Sequence, residues 1–84
     1  MQINLKYFAS VREALGSGET VALPDGVATV GAVRAWLIGR GDPWAGALAE
    51  GRALRMACNQ RMCEASAPVA AGDEVAFFPP VTGG

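Results

Sequence analysis

Hydrophobic and polar residues alternate with a period of two near both ends of the chain. At the start, Ile3, Leu5 and Tyr7 alternate with polar neighbours, which predicts a strand with one buried face. The last such run, 75–78, ends at Pro79, because proline has no N–H to donate to a neighbouring strand. Further runs predict strands at 19–23, 54–58 and 61–64. We expect the first and last strands to be neighbours in the middle of one sheet.

The spacing of apolar residues becomes helical between the second and third predicted strands. Val30, Val33 and Leu37 fall on one stripe of a helix, and Thr29 is a suitable N-terminal capping residue. Gly39 follows the stripe and ends the helix. A hairpin, one main helix and a second set of strands predict an α+β fold, with the helix packed on one face of the sheet.

Capping motifs predict two shorter helices. Ser10 and Glu13 have the spacing of a capping box, in which each side chain accepts from the other residue's backbone N–H. This motif predicts a helical turn over 10–15. Asp42 followed by Pro43 predicts another short helix, with the aspartate as N-cap and the proline at the first helical position.

Composition narrows the class of protein. The chain has 84 residues, 51% of them hydrophobic, which indicates a single domain with one core. Its 7 basic and 8 acidic residues give a net charge of −1 and no polybasic run, so neither nucleic acid nor a membrane surface is an expected partner. There is no apolar run of about 18 residues to span a membrane. We expect a cytoplasmic protein with a domain at 1–78 and a tail at 79–84.

Residues for metal binding and acid–base catalysis are scarce. Histidine is absent, which removes the commonest general base and nitrogen ligand. Cys58 and Cys63 are four residues apart without a second pair, a poor match to zinc sites, so no metal is expected. We expect reduced thiols in or near the core, with a redox or sulfur-relay role as the alternative.

The C-terminal sequence FFPPVTGG differs from the rest of the chain because it joins stiff prolines to glycines that have no side chain. Two prolines fix φ and favour an extended path, whereas glycines without Cβ atoms can enter a narrow slot. Fully extended, the six tail residues reach about 20 Å. The tail consists of Pro79, Pro80, Val81, Thr82, Gly83 and Gly84. We expect it to insert into a partner; the alternative is a terminus that frays.

The terminal carboxylate of Gly84 is the candidate reactive group. A free carboxylate is a poor electrophile, but adenylation by ATP converts it to a mixed anhydride. Attack by sulfur on that anhydride leaves a thiocarboxylate, a softer and stronger nucleophile than the carboxylate. This domain needs no general base for that chemistry, which suits a chain without histidine.

Several segments resemble one known family along the whole chain. The closing GDEVAFFPPVTGG resembles the C-terminal signature of the small subunit of molybdopterin synthase, the MoaD family. KYFASVREALG at 6–16 is similar to that family's opening, TVGAVRAWL to its main helix, and ACNQ to its Val-Asn-Gln turn. Cys58 departs from the family, where a small aliphatic residue is usual.

The resemblance implies a β-grasp, ubiquitin-like fold and a sulfur carrier for molybdenum cofactor biosynthesis. Gly84 would be adenylated by an E1-like adenylyltransferase with ATP and converted to a thiocarboxylate by a sulfur donor, such as a sulfurtransferase or cysteine desulfurase. The tail would then enter the large subunit, where sulfur attacks cyclic pyranopterin monophosphate. The catalytic lysines would lie on that subunit, in a heterotetramer. The carrier would hold no cofactor and would not be a complete enzyme.

Three residues outside the tail are candidates for partner binding. Alternation in the last strand directs Phe78 away from the core, where it is either an interface anchor or packed under the short helix. The resemblance adds Met62 on the fourth strand and places Arg12 in the opening motif. Arg12 is either a partner contact or a solvated charge.

Other functions use the same C-terminal chemistry. A sulfur carrier for thiamine or tRNA thiolation would also end in Gly-Gly. A ubiquitin-like modifier would form an isopeptide bond from the same acyl-adenylate. A plain interaction module would leave the tail inert.

Overall fold

The strands form a single mixed sheet, described for residues 1–80 by a computed structural model. The elements are, in chain order, β1 (Gln2–Tyr7), α1 (Ala9–Leu15), β2 (Gly18–Ala22), α2 (Val30–Ile38), α3 (Trp44–Ala47), β3 (Arg55–Cys58), β4 (Arg61–Cys63) and β5 (Glu74–Phe78). The strand order is β2-β1-β5-β3-β4. β1 and β5 pair in parallel, and the other neighbouring strands are antiparallel. The prediction that the first and last strands are neighbours is confirmed.

Alternation along the strands separates a core face from an outer face. Ile3, Leu5 and Tyr7 on β1 are buried, as are Val75 and Phe77 on β5. These five side chains face the helices and form one hydrophobic core with them. The face on the other side of the sheet carries no helix in the described part of the chain, and the candidate site is built on it.

The main helix packs as its stripe predicts. Val30, Val33 and Leu37 have no exposed surface. The Ala32 amide donates to Thr29 Oγ1 at 3.1 Å, so the predicted cap is confirmed. α2 therefore lies across the sheet with its apolar stripe against the core. No helix within residues 1–80 is long and apolar enough to cross a membrane.

The capping box predicted for the first short helix is wrong, although the helix itself is present. α1 begins at Ala9 with Phe8 at the N-cap position, and no side chain caps it. The chain turns directly out of β1 through Ala9, whose φ is 53°, so the cap position falls two residues before Ser10. The Arg12 amide donates to the Phe8 carbonyl at 3.3 Å. Ser10 thus lies inside the first turn, where it cannot pair with Glu13 as predicted.

Asp42 does not cap α3, so that prediction is also wrong. Pro43 occupies the N-cap position, and no side chain caps this helix either. The Ala45 amide donates to the Gly41 carbonyl at 2.9 Å. Because the backbone already satisfies that amide, the helix starts without a side-chain acceptor.

Gly31 lies where α2 meets the loop before β5. Its amide donates to the Ala65 carbonyl at 2.8 Å, and a Cβ atom at this position would lie 2.9 Å from Ala65 Cβ. We expect Gly31→Ala to lower the free energy of unfolding by about 1–3 kcal/mol, because the overpacked loop must shift. Urea unfolding measures this difference. Gly46→Ala is the matched control.

At Gly46, the nearest atom to an added Cβ is Asp42 Oδ1 at 3.5 Å, an ordinary contact. Alanine is the better helix former by about 1 kcal/mol, so Gly46→Ala should leave stability unchanged or raise it. Equal effects of the two substitutions would contradict a close approach at Gly31.

Candidate partner-binding face and tail root

An apolar strip crosses the outer face of the sheet. Ala57 on β3 pairs with Ala76 on β5 and with Met62 on β4, which places these side chains in one row. Phe78, two residues beyond Ala76, extends the row and is half-buried. Met62 is 60% exposed, which is high for a large apolar side chain. The structure therefore brings the predicted residues Phe78 and Met62 onto the same face.

Phe8 completes this strip and is absent from the residues predicted for the site. Its ring packs edge-on against Phe78, with 6.2 Å between centroids and 80° between ring planes. Phe8 is 47% exposed. In the sequence, Phe8 continues the alternating outward-facing positions Gln2, Asn4 and Lys6, and it is the aromatic residue among them. The contact puts Phe78 on the outer face, so packing under the short helix is excluded.

The segment leading to the tail borders a groove on the helix side of β5. β5 ends at Phe78, as the proline predicts, and Pro79 then lies against this groove. The groove has a volume of about 360 Å³. Its lining consists of Ser10, Val11, Ala14, Ala47, Arg52, Ala53, Leu54 and Pro79. The tail root, defined as Phe78 and Pro79, thus has the apolar strip on one side and the groove on the other.

Arg34 fixes the segment that forms one wall of the groove. Its Nε donates to the Leu48 carbonyl at 2.7 Å, and its Nη2 donates to the carbonyls of Ala49 at 2.6 Å and Arg52 at 3.1 Å. The residue is only 7% exposed. A cation bound to carbonyls that follow a helix end also complements the helix dipole. The arginine therefore joins α2 to the chain that follows α3.

Arg12 is exposed on α1. Its side chain makes no hydrogen bond or ion pair within residues 1–80, and it lines neither the outer face nor the groove. Its helix neighbours Val11 and Ala14 do line the groove. The structure does not bring Arg12 together with Phe78 and Met62, and its partner contact stays a prediction.

The two cysteines are free thiols packed against the core. Burial raises the pKa of Cys63, and burial together with the Asp73 carboxylate raises the pKa of Cys58. Such thiols carry little thiolate at neutral pH, so they are poor nucleophiles. The geometry therefore gives no support to a sulfur-relay role. Within residues 1–80, no group of three His, Cys, Asp or Glu side chains is placed to hold a metal ion.

Asp73 orders the turn that leads into β5. Its carboxylate accepts from the Ala70 amide at 2.8 Å and from Asn59 Nδ2 at 3.1 Å. These two hydrogen bonds, the Ala70 amide first, lower the pKa of Asp73. Asn59 in turn accepts from the Glu74 amide at 2.9 Å. The β3–β4 turn and the start of β5 are therefore held together at the end of β5 opposite to the tail.

A polar cluster around Glu19 joins β1, β2 and the α2–α3 region. Tyr7 Oη and Trp44 Nε1 both donate to Glu19 Oε2, at 3.1 and 3.2 Å, and Arg40 Nη1 donates to Oε1 at 3.0 Å. The Arg40 guanidinium lies 4.0 Å from the centre of the Trp44 ring. Burial, followed by the Glu19 charge, raises the pKa of Tyr7 well above its usual range. This phenol is thus held protonated and serves structure.

The other predicted tail residues lie outside the described part of the chain. They are Val81, Thr82, Gly83 and Gly84. Their roles in insertion and sulfur transfer remain predictions from the sequence.

This topology, with α2 across one face of the mixed sheet and a tail root beside an apolar strip on the other, defines a ubiquitin-like β-grasp domain. Crystal structures of SAMP1, small archaeal modifier protein 1 of Haloferax volcanii, have this fold. One is 32% identical, with full coverage of both chains and a TM-score of 0.75. The predicted fold is therefore confirmed.

The sequence matches the ThiS family over residues 5–84. It is 46% identical over 82 residues to the molybdopterin synthase sulfur carrier subunit of Haemophilus influenzae and 45% identical over 82 residues to that of Escherichia coli. Each match covers 98% of this chain and 99% of the relative. The chain belongs to the ThiS family, among the molybdopterin synthase sulfur carrier subunits. This confirms the family resemblance seen in the sequence.

A related fold has also been solved with a second subunit. It is the complex of subunits 1 and 2 of the molybdopterin-converting factor from Helicobacter pylori. The matching chain is 21% identical, with full coverage of both chains and a TM-score of 0.67, which shows the shared fold.

Proposed function

We propose that this chain is the sulfur carrier of molybdopterin synthase and delivers sulfur from Gly84 to the large subunit. The observation that carries the proposal is the apolar strip of Phe8, Phe78 and Met62 beside the tail root. An aromatic pair of exposed Phe8 and half-buried Phe78 next to an insertable tail suits a protein that docks through its sheet and reaches into its partner. The names of the relatives at 45–46% identity support this function.

The chemistry at Gly84 takes place in two activation steps. In the first, a carboxylate oxygen attacks the α-phosphate of ATP on an E1-like partner, and pyrophosphate leaves. In the second, the terminal sulfur of a donor protein's persulfide attacks the acyl carbon and AMP leaves, which gives an acyl disulfide. A thiol then attacks the donor's sulfur in that S–S bond, so the thiol is oxidised to a disulfide and the thiocarboxylate leaves. The product is the Gly84 thiocarboxylate. ATP is a substrate of the activating partner, and the carrier itself holds no cofactor in this scheme.

Delivery takes place in the large subunit's active site. The thiocarboxylate sulfur attacks a carbon of cyclic pyranopterin monophosphate and forms a C–S bond, while a C–O bond at that carbon breaks and its oxygen leaves with the phosphate or as water. Hydrolysis of the remaining bond between sulfur and the acyl carbon restores the Gly84 carboxylate. Two carriers in succession supply the two sulfurs of the dithiolene.

The described part of the chain is suited to binding and reach. Its phenol Tyr7 is held protonated, and burial raises the pKa of both thiols. The chain has no histidine to act as a general base. Acid and base groups for the transfer would therefore come from the large subunit, whereas this chain supplies the sulfur and the docking surface.

Intact-mass spectrometry and reconstitution test the proposal together. Protein purified from cells with the sulfur-transfer machinery should show replacement of one oxygen by sulfur, located at Gly84 by fragmentation. Fragmentation is needed because oxidation of Met or Cys adds nearly the same mass. Thiocarboxylated carrier, large subunit and pterin precursor should then form molybdopterin. A thiocarboxylated carrier that forms none would exclude the proposed function.

Phe78→Ala is expected to weaken binding to the large subunit by about 2–4 kcal/mol, roughly 30- to 1,000-fold, because an aromatic anchor at an interface centre contributes this much. Met62→Ala should cost about 1 kcal/mol, since it lies further along the strip. Thr20→Ala, exposed on the distant strand β2, is the control and should bind as the wild type does. Titration calorimetry measures the affinities. A folded Phe78→Ala protein of unchanged affinity would show that the strip is not the docking face.

A second function is favoured by the similarity to SAMP1, whose name describes a protein modifier. As a modifier, this chain would use the same acyl-adenylate but react with a lysine amine in place of sulfur. Lysine conjugates that depend on Gly84 would support that function. Their absence, together with a thiocarboxylate at Gly84, would leave the sulfur carrier as the function.

A further inference from the structure

Two exposed arginines lie on either side of the tail root. Arg55 on β3 pairs in register with Phe78 on β5, so it stands next to the last residue of the central strand. Arg52 lines the groove that also contains Pro79. Leu54 lies between them in sequence and lines the same groove. One cation therefore borders the outer face and the other borders the groove.

The structure holds Arg52 in place through its backbone. The Arg52 carbonyl accepts from Arg34 Nη2 at 3.1 Å, and Arg34 also binds the carbonyls of Leu48 and Ala49. Arg55 is fixed by the β3–β5 pairing. Both guanidinium groups thus extend from anchored backbone, which reduces the entropy lost when they bind a partner.

Neither arginine forms an ion pair within residues 1–80, although Glu64 lines the same surface pocket as Arg55. The ion pair found there joins Arg40 to Glu19, away from the tail root. Lys6 also lines the outer face, but Glu74 lies on the same face and offsets its charge. Glu74 is four residues before Phe78 along β5, about 13 Å, so it does not offset the arginines. A chain of net charge −1 therefore presents two exposed arginines at the tail root that form no ion pair within residues 1–80, with Glu64 as the nearest acidic neighbour of Arg55.

We propose that Arg52 and Arg55 bind carboxylates on the large subunit at the entrance of the slot that takes the tail. This inference rests on the proposed function and names the chemistry of the partner surface. A guanidinium group binds a carboxylate through two parallel hydrogen bonds, a geometry that lysine cannot reproduce. The two cations would also offset repulsion between those carboxylates and the anionic end of the tail.

Charge reversal of both arginines should slow association. We expect the Arg52→Glu, Arg55→Glu double variant to bind the large subunit with an association rate constant about 10- to 100-fold lower at low salt, because electrostatic steering is lost or inverted. The dependence of this rate on salt between about 0.05 and 0.5 M should flatten or change sign. Stopped-flow measurements with the full chain and the isolated large subunit provide both quantities.

Arg61→Glu is the control for charge reversal at an exposed strand residue, and its effect is compared per reversed charge because the double variant carries two reversals. Arg61 pairs with Cys58, and Cys58 pairs with Val75, three residues before Phe78. Arg61 is separated from the tail root by two inter-strand spacings across the sheet and by three residues along a strand, a distance of about 14 Å. This distance exceeds the Debye length of about 10 Å at 0.1 M salt. At 0.1 M salt and above, the association rate of Arg61→Glu should change less than about 3-fold. The double Arg→Lys variant should keep the salt dependence but dissociate faster.

The outcomes separate this inference from the proposed function. Wild-type carrier that does not bind the large subunit would overturn both. Normal binding by the wild type, with equal salt dependence in the double variant and the Arg61→Glu control, would overturn the inference alone. Circular dichroism of each variant establishes that it is folded before its rates are compared.

Discussion

A chain that ends at Gly83 is expected to dock on the large subunit with unchanged affinity and to deliver essentially no sulfur. The apolar strip and β5 precede the tail and are intact in this variant. Loss of one residue shortens the reach by about 3.4 Å. Since a displacement of about 1 Å can reduce a rate 100-fold, we expect transfer to fall by at least about 1,000-fold. A single-turnover assay of molybdopterin formation measures the rate.

The effect of the truncation on adenylation of the C-terminus can be measured separately from its effect on the reach of the tail. A thiocarboxylate installed chemically on Gly83 removes the need for adenylation, so any remaining defect reports the shorter reach. The control is full-length chain with the thiocarboxylate installed in the same way at Gly84. Equal transfer rates for the two proteins would show that the position of the terminal sulfur is not critical.

Arg34→Met is expected to lower the free energy of unfolding by about 3–5 kcal/mol. The substitution keeps an unbranched side chain but removes the donors that bind the carbonyls of Leu48, Ala49 and Arg52. Buried charge-assisted hydrogen bonds contribute about 1.5–3 kcal/mol each, and their acceptors would be left without a protein donor. A domain of this size has a total stability of about 4–13 kcal/mol, so the loss is a large fraction of it. Urea unfolding gives the value.

Arg34→Lys separates charge from geometry. Lysine keeps the positive charge, but its ammonium group cannot donate to all the carbonyls that the planar guanidinium binds. It should therefore recover less than half of the stability lost in Arg34→Met. Arg61→Met, at an exposed position, should change stability by less than about 0.5 kcal/mol. The contribution of one ordinary hydrogen bond is about 1 kcal/mol. If the free energy of unfolding of Arg34→Met differed from that of the wild type by less than this amount, the three carbonyls would have found other donors.

The sheet and the main helix were predictable because local sequence determines them. The alternation of Ile3, Leu5 and Tyr7 specifies which face of β1 is buried, and the same period in β5 separates Phe77 from Phe78. Thr29 caps α2 as its sequence position predicts. In each case the signal and the structure lie within a few residues of each other, and the tertiary contacts agree with the signal.

The features that were missed depend on contacts or on a backbone path that residue spacing does not report. Arg34 continues the buried stripe four residues after Val30, which is a sequence signal, but its acceptors lie 14 to 18 residues later. The capping box of Ser10 fails because the path out of β1, through Ala9, determines where the helix starts. Phe8 belongs to the apolar strip because β5 brings Phe78 against it, and the spacing of residues does not report that pairing.

The parallel pairing of β1 with β5 also determines where a label can be attached. Both strands run in the same direction, so Met1 lies at the opposite end of the sheet from the tail root, about 20 Å away along a strand of six residues. The Met1 amine is held against the Leu23 carbonyl at 3.2 Å. A fluorophore or surface linker joined to the N-terminus would therefore leave the apolar strip and the tail accessible. The same addition at Gly84 would block the carboxylate that we propose to be activated.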